Sequence, residues 1–259
     1  MDHYERRREI LNLLNQSGGQ CSVSSLCKKL YLSRSTLRRD LLHMEENGLI
    51  LRHHGGISLA ENRNTENSLP LRKMKNPEAK LRISRLCRSF LRDHMVLFLD
   101  SSSTVSYLSP ILLEFQDLTV ITNGIHIAAA LNTASNIRCY ICPGLLKQKS
   151  LSILGEYSTE FLAQFHADAA FFSVKALRKN GVFEGDDSQA LCKRAMLRNA
   201  EQRILLSDHS KEEAVGYFKL CDYTEINEIV SDAPFRPDLT EQIERSGCRI
   251  LFPGAKKPR

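Results

Sequence analysis

Apolar positions in the first sixty residues recur with a helical period and then switch to a strand-like one. In ERRREILNLLN (5–15), Ile10, Leu11, Leu13 and Leu14 fall on one side and the arginines on the other. That pattern predicts an amphipathic helix. Ser17-Gly18-Gly19 ends it. SVSSLCKKL (22–30) predicts a second short helix with a hydroxyl near its start as N-cap. Tyr31-Leu32 forms a tight turn. Ser33 then caps a third helix that runs to about Asn47 and is stopped by Gly48. Leu49 to Leu59 predicts a strand pair hinged at Gly55-Gly56. The next stretch, AENRNTENSLPLRKMKN (60–76), is polar, carries one proline and has little periodicity, so it is expected as a linker.

Beyond residue 76 the pattern alternates between short apolar runs and amphipathic stretches. The runs are MVLFLD (95–100), LTVIT (118–122), IRCYIC (137–142), AAFFSV (169–174), RILLSD (203–208), EIVSD (228–232) and CRILF (248–252). Stretches such as PEAKLRISRLCRSFL and SQALCKRAMLRNA lie between them. Strands that read as continuous apolar runs, alternating with helices, predict a mostly parallel sheet covered on both faces. The fold class is therefore α/β, with a small helical and hairpin domain in front. The expected domains are 1–59, a linker at 60–76 and an α/β domain at 77–259.

Composition narrows the class. The chain has 259 residues, 42% hydrophobic and 25% charged, which suits a globular protein with a sizeable core. The net charge is +6, and residues 1–58 hold nine Lys and Arg against six Asp and Glu. Half of the excess thus sits in less than a quarter of the chain, an electrostatic footprint for a polyanion. The start, MDHYERRREI, is charged and has no apolar core of a signal peptide. No apolar run approaches the roughly 18 residues of a membrane span. A cytoplasmic chain without membrane contact is expected, its eight cysteines serving as small buried hydrophobes. Cys139 and Cys142 form a lone CxxC with no second ligand pair at zinc spacing, so no metal and no cofactor is expected.

The N-terminal elements carry a recognisable chemistry. Three short helices and a hairpin describe a winged helix-turn-helix, whose recognition helix puts its first residues against base edges in the major groove. Ser33, Arg34, Ser35 and Thr36 occupy that first turn, and Arg38 and Arg39 follow. With Leu37 and Leu41 facing the core, Arg34 and Arg38 share another face. An arginine there can bridge guanine O6 and N7 or grip phosphate. Asp40 is expected to pair with a neighbouring arginine. The wing, Arg52-His53-His54-Gly55-Gly56, would lie along the adjacent backbone, where glycine permits close approach.

In the second part the informative residues stand at strand ends, where open α/β sheets bind ligands. LFLDSSST (97–104) leaves its strand with Asp100 and a row of hydroxyls opening a helix, a plausible anion site. VITNG leaves with Thr122-Asn123, CPG with Gly144, and LLSDHSK with Asp208, Ser210 and Lys211. Small polar groups with one lysine suit a polyhydroxylated anion such as a sugar phosphate. The simpler role for each alone is to cap the helix after its strand.

RREIL-x-LL, then S-x-STLRRDL-x-x-ME-x-x-GLI-x-R-x-HGG, resembles the DNA-binding domain of DeoR-type bacterial transcriptional regulators across residues 6–57. The likeness continues more loosely through Arg72 and Lys80, Asp100-Ser-Ser-Ser-Thr, Thr122-Asn, Gly144, Gly155, Lys193-Arg-x-Met and Asp208-x-Ser-Lys. The resemblance implies a sugar-phosphate-sensing domain related in fold to ribose-5-phosphate isomerase. It also implies effector contacts at Asp100, Ser102, Ser103, Thr104, Asn123, Lys193, Asp208 and Lys211. The DNA contacts would be Ser33, Arg34, Ser35, Thr36, Arg38, Arg39, Arg52, His54, Gly55 and Gly56. The implied partners are double-stranded operator DNA, a phosphorylated sugar or sugar alcohol, and further copies of the chain in a dimer or tetramer. The implied activity is a repressor of a carbohydrate-utilisation operon released by its effector. The alternative is an isomerase-like enzyme with an accessory N-terminal domain. That enzyme needs a carboxylate base, for which Glu184, Asp186 and Asp187 are candidates. Their simpler expected role is a solvated turn and a cap for the helix at 188–199. A Schiff base at Lys175, Lys193 or Lys211 would need a desolvated lysine.

Overall fold

The computed structural model describes residues 3–17, 19–46, 49–59 and 67–254. The chain divides into two compact units, Met1–Lys75 and Asn76–Arg259.

The first unit has helix α1 (His3–Gln16), strand β1 (Gln20–Ser22), helices α2 (Val23–Leu30) and α3 (Arg34–Glu46), strands β2 (Ile50–His53) and β3 (Gly56–Leu59), and helix α4 (Leu69–Met74). Its core is the apolar stripe of each helix: Ile10, Leu11 and Leu14 of α1, Leu26 of α2, and Leu37, Leu41 and Met44 of α3. The three strands form an antiparallel sheet in the order β1-β3-β2, with His53 opposite Gly56 across a two-residue loop. This is a winged helix-turn-helix. Tyr31 turns the chain between α2 and α3 in the left-handed region (φ 53°), its N–H donating to Cys27 O. The expected end of α3 at Asn47, its stop at Gly48 and residues 60–66 of the expected linker lie outside the described residues. The rest of that linker is not featureless. Pro70 fits a helix start because its missing N–H is unneeded there, and α4 packs Leu71 and Met74 against the first unit's core.

One ion pair pins this unit. Asp40 of α3 is buried at 3% exposure, and its carboxylate accepts from Arg6 Nε of α1 at 2.8 Å, with Arg7 Nε at 3.7 Å. The expected pairing of Asp40 thus links recognition helix to first helix.

The second unit runs α5 (Pro77–Cys87), β4 (Val96–Leu99), α6 (Ser109–Leu112), β5 (Leu118–Thr122), α7 (Ile125–Leu131) and β6 (Ile137–Ile141). Then follow β7 (Leu145–Lys147), β8 (Ser152–Leu154), α8 (Glu156–Leu162), β9 (Ala167–Phe172), β10 (Ala176–Arg178), β11 (Gly181–Glu184) and α9 (Asp187–Arg198). The unit closes with β12 (Ala200–Leu206), β13 (Phe218–Cys221), β14 (Glu228–Val230), α10 (Pro237–Arg245) and β15 (Arg249–Leu251). Seven strands make one sheet in the order β15-β14-β12-β9-β4-β5-β6, every pair parallel. All seven correspond to the apolar runs of the sequence. The two faces bury different alternating residues of the same strands. Phe98, Ala170, Phe172 and Leu205 join α8, α9 and α10, while Leu97, Leu99, Phe171 and Leu206 join α5, α6 and α7. That double coverage is why the strands carry no polar face.

Two small antiparallel sheets, β7-β8 and β10-β11-β13, lie outside the periodic pattern. Five cysteines are buried, three are half-buried and all are free thiols. Burial pushes Cys192 and Cys248 up to about 12, so these two behave as apolar filler. No group of His, Cys, Asp or Glu among the described residues could hold a metal. Nor is any helix long and apolar enough to cross a membrane.

Replacing Asp40 with Ala strands two arginines that are mostly buried. Urea unfolding should show the first unit losing about 2–3 kcal/mol. Arg6→Ala should cost less, because Arg7 remains beside the carboxylate.

Candidate functional site

The first candidate surface is α3 with its wing. Ser33 Oγ accepts from Thr36 N at 3.2 Å and contacts Ser35 Oγ and Thr36 Oγ1 at 2.9 Å, so the expected cap is formed by a hydroxyl cluster. Leu37 and Leu41 point inward, which leaves Arg34, Arg38 and Arg39 exposed. Among the described residues no carboxylate pairs with these three guanidinium groups. Arg52 is different. Its guanidinium lies 3.5 Å from Glu45 of α3, and its N–H donates to the same carboxylate. It ties wing to helix. His54 and Gly55 form the exposed tip, where Gly55 takes φ +82° with open space around it. Gly56 is half-buried, and a Cβ there would stand 3.2 Å from Cys21 O. The close approach that Gly56 permits is therefore to β1 of its own sheet.

The second candidate surface is the C-terminal edge of the large sheet. The chain runs β4, β5, β6 in one direction and then returns to β9, β12, β14, β15 in the other. The order reverses between β4 and β9, and a ligand crevice belongs outside the strand ends at that point. Asp100, just after β4, is fully buried. One carboxylate oxygen accepts from Ser102 N at 2.9 Å. The other accepts from Ser173 N, just after β9, at 3.2 Å. One aspartate thus bridges the two strand ends at the reversal.

Lys193 of α9 completes this knot. Its ammonium lies 2.7 Å from Asp100, 2.5 Å from Glu184 and 2.5 Å from Ser173 O. Burial works against its charge, but Asp100 and Glu184 outweigh burial and push its pKa up. All three donors of the ammonium find oxygens within the protein. Glu184 is 7% exposed at the end of β11, which corrects the expectation of a solvated turn residue. A turn-like sequence hides it because its partner sits nine residues away across a helix start. Asp186 does cap α9 as expected, accepting from Gln189 N at 3.0 Å.

The serine row is buried as well. Ser102 Oγ accepts from Val105 N at 3.2 Å, and Ser101, Ser103 and Thr104 are each at most 5% exposed. Gly124 lets the β5 loop meet that row: a Cβ there would stand 3.0 Å from Ser101 Cα. Asn123, at 1% exposure, donates from Nδ2 to Ile153 O at 3.2 Å.

Asp208, after β12, heads a separate group. With β9 between β12 and β4, the groups stand about 10 Å apart at ordinary strand spacing. Asp208 accepts from Asn76 Nδ2 at 3.1 Å, from Ser210 N at 3.2 Å and from Ser210 Oγ. Burial alone would raise its pKa, yet Lys211, these hydrogen bonds and Lys80 hold it below the usual carboxylate range. The structure therefore joins Asp100, Ser102 and Lys193 directly, sets Asn123 beside the serine row, and puts Asp208 with Lys211. Sequence reasoning missed Ser173, Gln189 and Asn76, and singled out Glu184 in another role. Ser173 alone had a signal, as the residue that ends a buried strand.

Lys193→Met would leave Asp100 and Glu184 facing each other without a cation. At pH 8 the second unit should lose about 3–5 kcal/mol by urea unfolding.

Comparison with known proteins names these two surfaces. A model of the DeoR-like helix-turn-helix domain matches residues 6–63, and a model of the DeoR C terminal sensor domain matches residues 75–233. The HTH-type transcriptional repressor GlcR of Bacillus subtilis is 30% identical over 247 residues, 95% of each chain. The glycerol-3-phosphate regulon repressor of Escherichia coli is 28% identical, covering 90% of this chain and 92% of its own. The L-fucose operon activator of Haemophilus influenzae is 31% identical, covering 91% and 94%. These relatives are regulators, not enzymes, along nearly their whole length. A DeoR-like helix-turn-helix followed by a DeoR sensor domain makes this chain a DNA-binding transcriptional regulator of the DeoR family.

Proposed function

We propose that this regulator represses a carbohydrate-utilisation operon in the cytoplasm and leaves its operator when a phosphorylated sugar or sugar alcohol binds at the strand ends. The observation that carries the reading is the row of buried polar groups at the sheet's reversal point, in a chain whose other unit exposes Arg34, Arg38 and Arg39. The names of two relatives, a repressor and a glycerol-3-phosphate regulon repressor, support the sign and the ligand class. A dimer or tetramer of the chain would offer paired winged helices to repeated half-sites.

Charge orients the ligand. Two carboxylates against one ammonium give the Asp100–Glu184–Lys193 knot a net negative charge. A phosphate belongs instead toward Asp208, where Lys211 and Lys80 both act on the carboxylate. Lys193 then serves by holding the frame, while Ser102, Ser103, Thr104 and Asn123 face the carbon chain. Asn76 gives the coupling route. It is the first residue of the second unit, sits in the left-handed region (φ 50°), and donates to both Asp208 and Ser210. A ligand that rearranges Asp208 acts one residue from the unit boundary. It shifts DNA affinity only by its differential affinity for the two arrangements.

Fluorescence anisotropy with the gene's own upstream DNA, across a salt series and a panel of sugar phosphates, tests the reading. Specific binding weakened by one phosphate ester is the expected result; specific binding that no ester changes would overturn the effector assignment. Arg38→Ala should cost about 1–3 kcal/mol with relaxed preference at one base position if it reads a base. An even loss with a shallower salt slope would make it a phosphate contact. Asn76→Ala should uncouple the two sites. The effector's effect on DNA affinity should shrink several-fold while calorimetry still detects effector binding.

A further inference from the structure

Two buried side-chain amides near the strand ends bond to the protein through their NH2 groups. Asn123 is 1% exposed and Gln189 4% exposed. Asn123 uses its NH2 on Ile153 O, and Gln189 uses its NH2 on Ser152 Oγ at 2.9 Å. Ile153 O can only accept, so Asn123 must present nitrogen there. The carbonyl oxygen of each amide has no hydrogen-bond donor among the described residues. A buried acceptor without a donor is costly, and natural structures keep few of them. Both amides are moored to consecutive residues of β8. That strand belongs to a hairpin strapped over the strand ends by Lys147–Asp186 at 2.7 Å and by Ile125 N to Leu151 O at 3.0 Å. Gln189 also lies one helical turn before Lys193, on the face of α9 that meets the Asp100 knot.

We infer that the carbonyl oxygens of Asn123 and Gln189 form a hydroxyl-reading pair, which selects the effector by alcohol groups on the part of its carbon chain away from the phosphate. The inference rests on the sensing function proposed above and assigns its specificity. The chemistry excludes the reverse orientation. Carbonyl oxygens accept hydrogen bonds and donate none, and a phosphate at neutral pH offers acceptors only. Facing the pair with phosphate would set like partial charges together beside a knot that is already net negative. Hydroxyls supply the missing donors. A site built to hydrogen-bond an alcohol rejects the analogue lacking it much more strongly than an apolar pocket rejects an extra methylene.

Isothermal titration of the full-length protein tests this with glycerol 3-phosphate, ribose 5-phosphate and sorbitol 6-phosphate, against inorganic phosphate and n-propyl phosphate, which carry no alcohol. The best polyol phosphate should bind at least about tenfold tighter than n-propyl phosphate. Gln189→Met and Asn123→Leu should each lower that preference on the order of tenfold, one hydrogen bond's worth. Gln189→Glu keeps an acceptor oxygen in place and should retain more of the preference than Gln189→Met. Thermal melting of each variant separates lost recognition from lost folding. A folded Gln189→Met with the wild-type preference would overturn the pair. So would an equal loss for polyol phosphate and inorganic phosphate, which marks a purely structural residue. Wild-type protein that takes sorbitol as tightly as sorbitol 6-phosphate, and loses it in Gln189→Met, would keep the pair and remove the phosphate from the proposed function. Absence of binding by every polyol, phosphorylated or not, would sink the pair itself.

Discussion

The second unit depends on one buried ammonium. Lys193 leaves water to meet Asp100, Glu184 and Ser173 O, which come from the ends of β4, β11 and β9. Taking a cation out of water costs several kcal/mol unless its donors are all satisfied at good geometry. Here they are, so the knot exists only when helix α9 and three strand ends are in register together. The same demand fixes the crevice. Asp100 cannot hold Lys193 and the N–H groups of Ser102 and Ser173 at once unless the loops after β4 and β9 stay in one arrangement. The effector site we propose is framed by these bonds.

Rigidity at the knot contrasts with the Asp208 group, two strands away. That carboxylate is held by Asn76, Ser210 and Lys211, and Asn76 is the residue at which the second unit begins. A sensor needs one part that recognises and another that yields. On the reading proposed above, the sheet edge carries a frame at the reversal point and a polar group bonded to the first residue of the second unit. The first unit has its own fixed point in Asp40. The guanidinium groups of Arg6 and Arg7 tie α3 to α1, which holds Arg34, Arg38 and Arg39 at a set angle to the wing.

Legibility in the sequence follows contact range. The winged helix was readable because its signals are local: Ser33 caps three residues ahead, Leu37 and Leu41 repeat at four, and Gly55 sits in a two-residue loop with Gly56 opening the next strand. The seven parallel strands were readable because burial on both faces writes an uninterrupted apolar run. What was hidden is non-local or short. Glu184 looked like part of an acidic turn because nothing nearby in the chain says that Lys193 will fold back on it. Gln189 drew no reading at all, since its partner Ser152 lies 37 positions away. The β7-β8 hairpin has three-residue strands, too few to show alternation. Pro70 reads as a breaker in a polar stretch, although at the start of α4 it costs the helix nothing.

The knot also leaves the carboxylates of this sheet edge poorly placed for proton transfer between sugar carbons. Moving a proton between sugar carbons needs a carboxylate with a free lone pair aimed at the substrate and a basicity left intact. Asp100 has its oxygens committed to two backbone N–H groups and an ammonium, and Glu184 is bonded to the same ammonium. Asp186 is occupied by the α9 N-terminus and by Lys147. Glu184 and Asp186 are thus structural acceptors, and the exposed Asp187 accepts only from the N–H and hydroxyl of Ser188 among the bonds of the described residues. The effector contacts we propose, hydroxyls and amide oxygens, supply hydrogen bonds to a polyol.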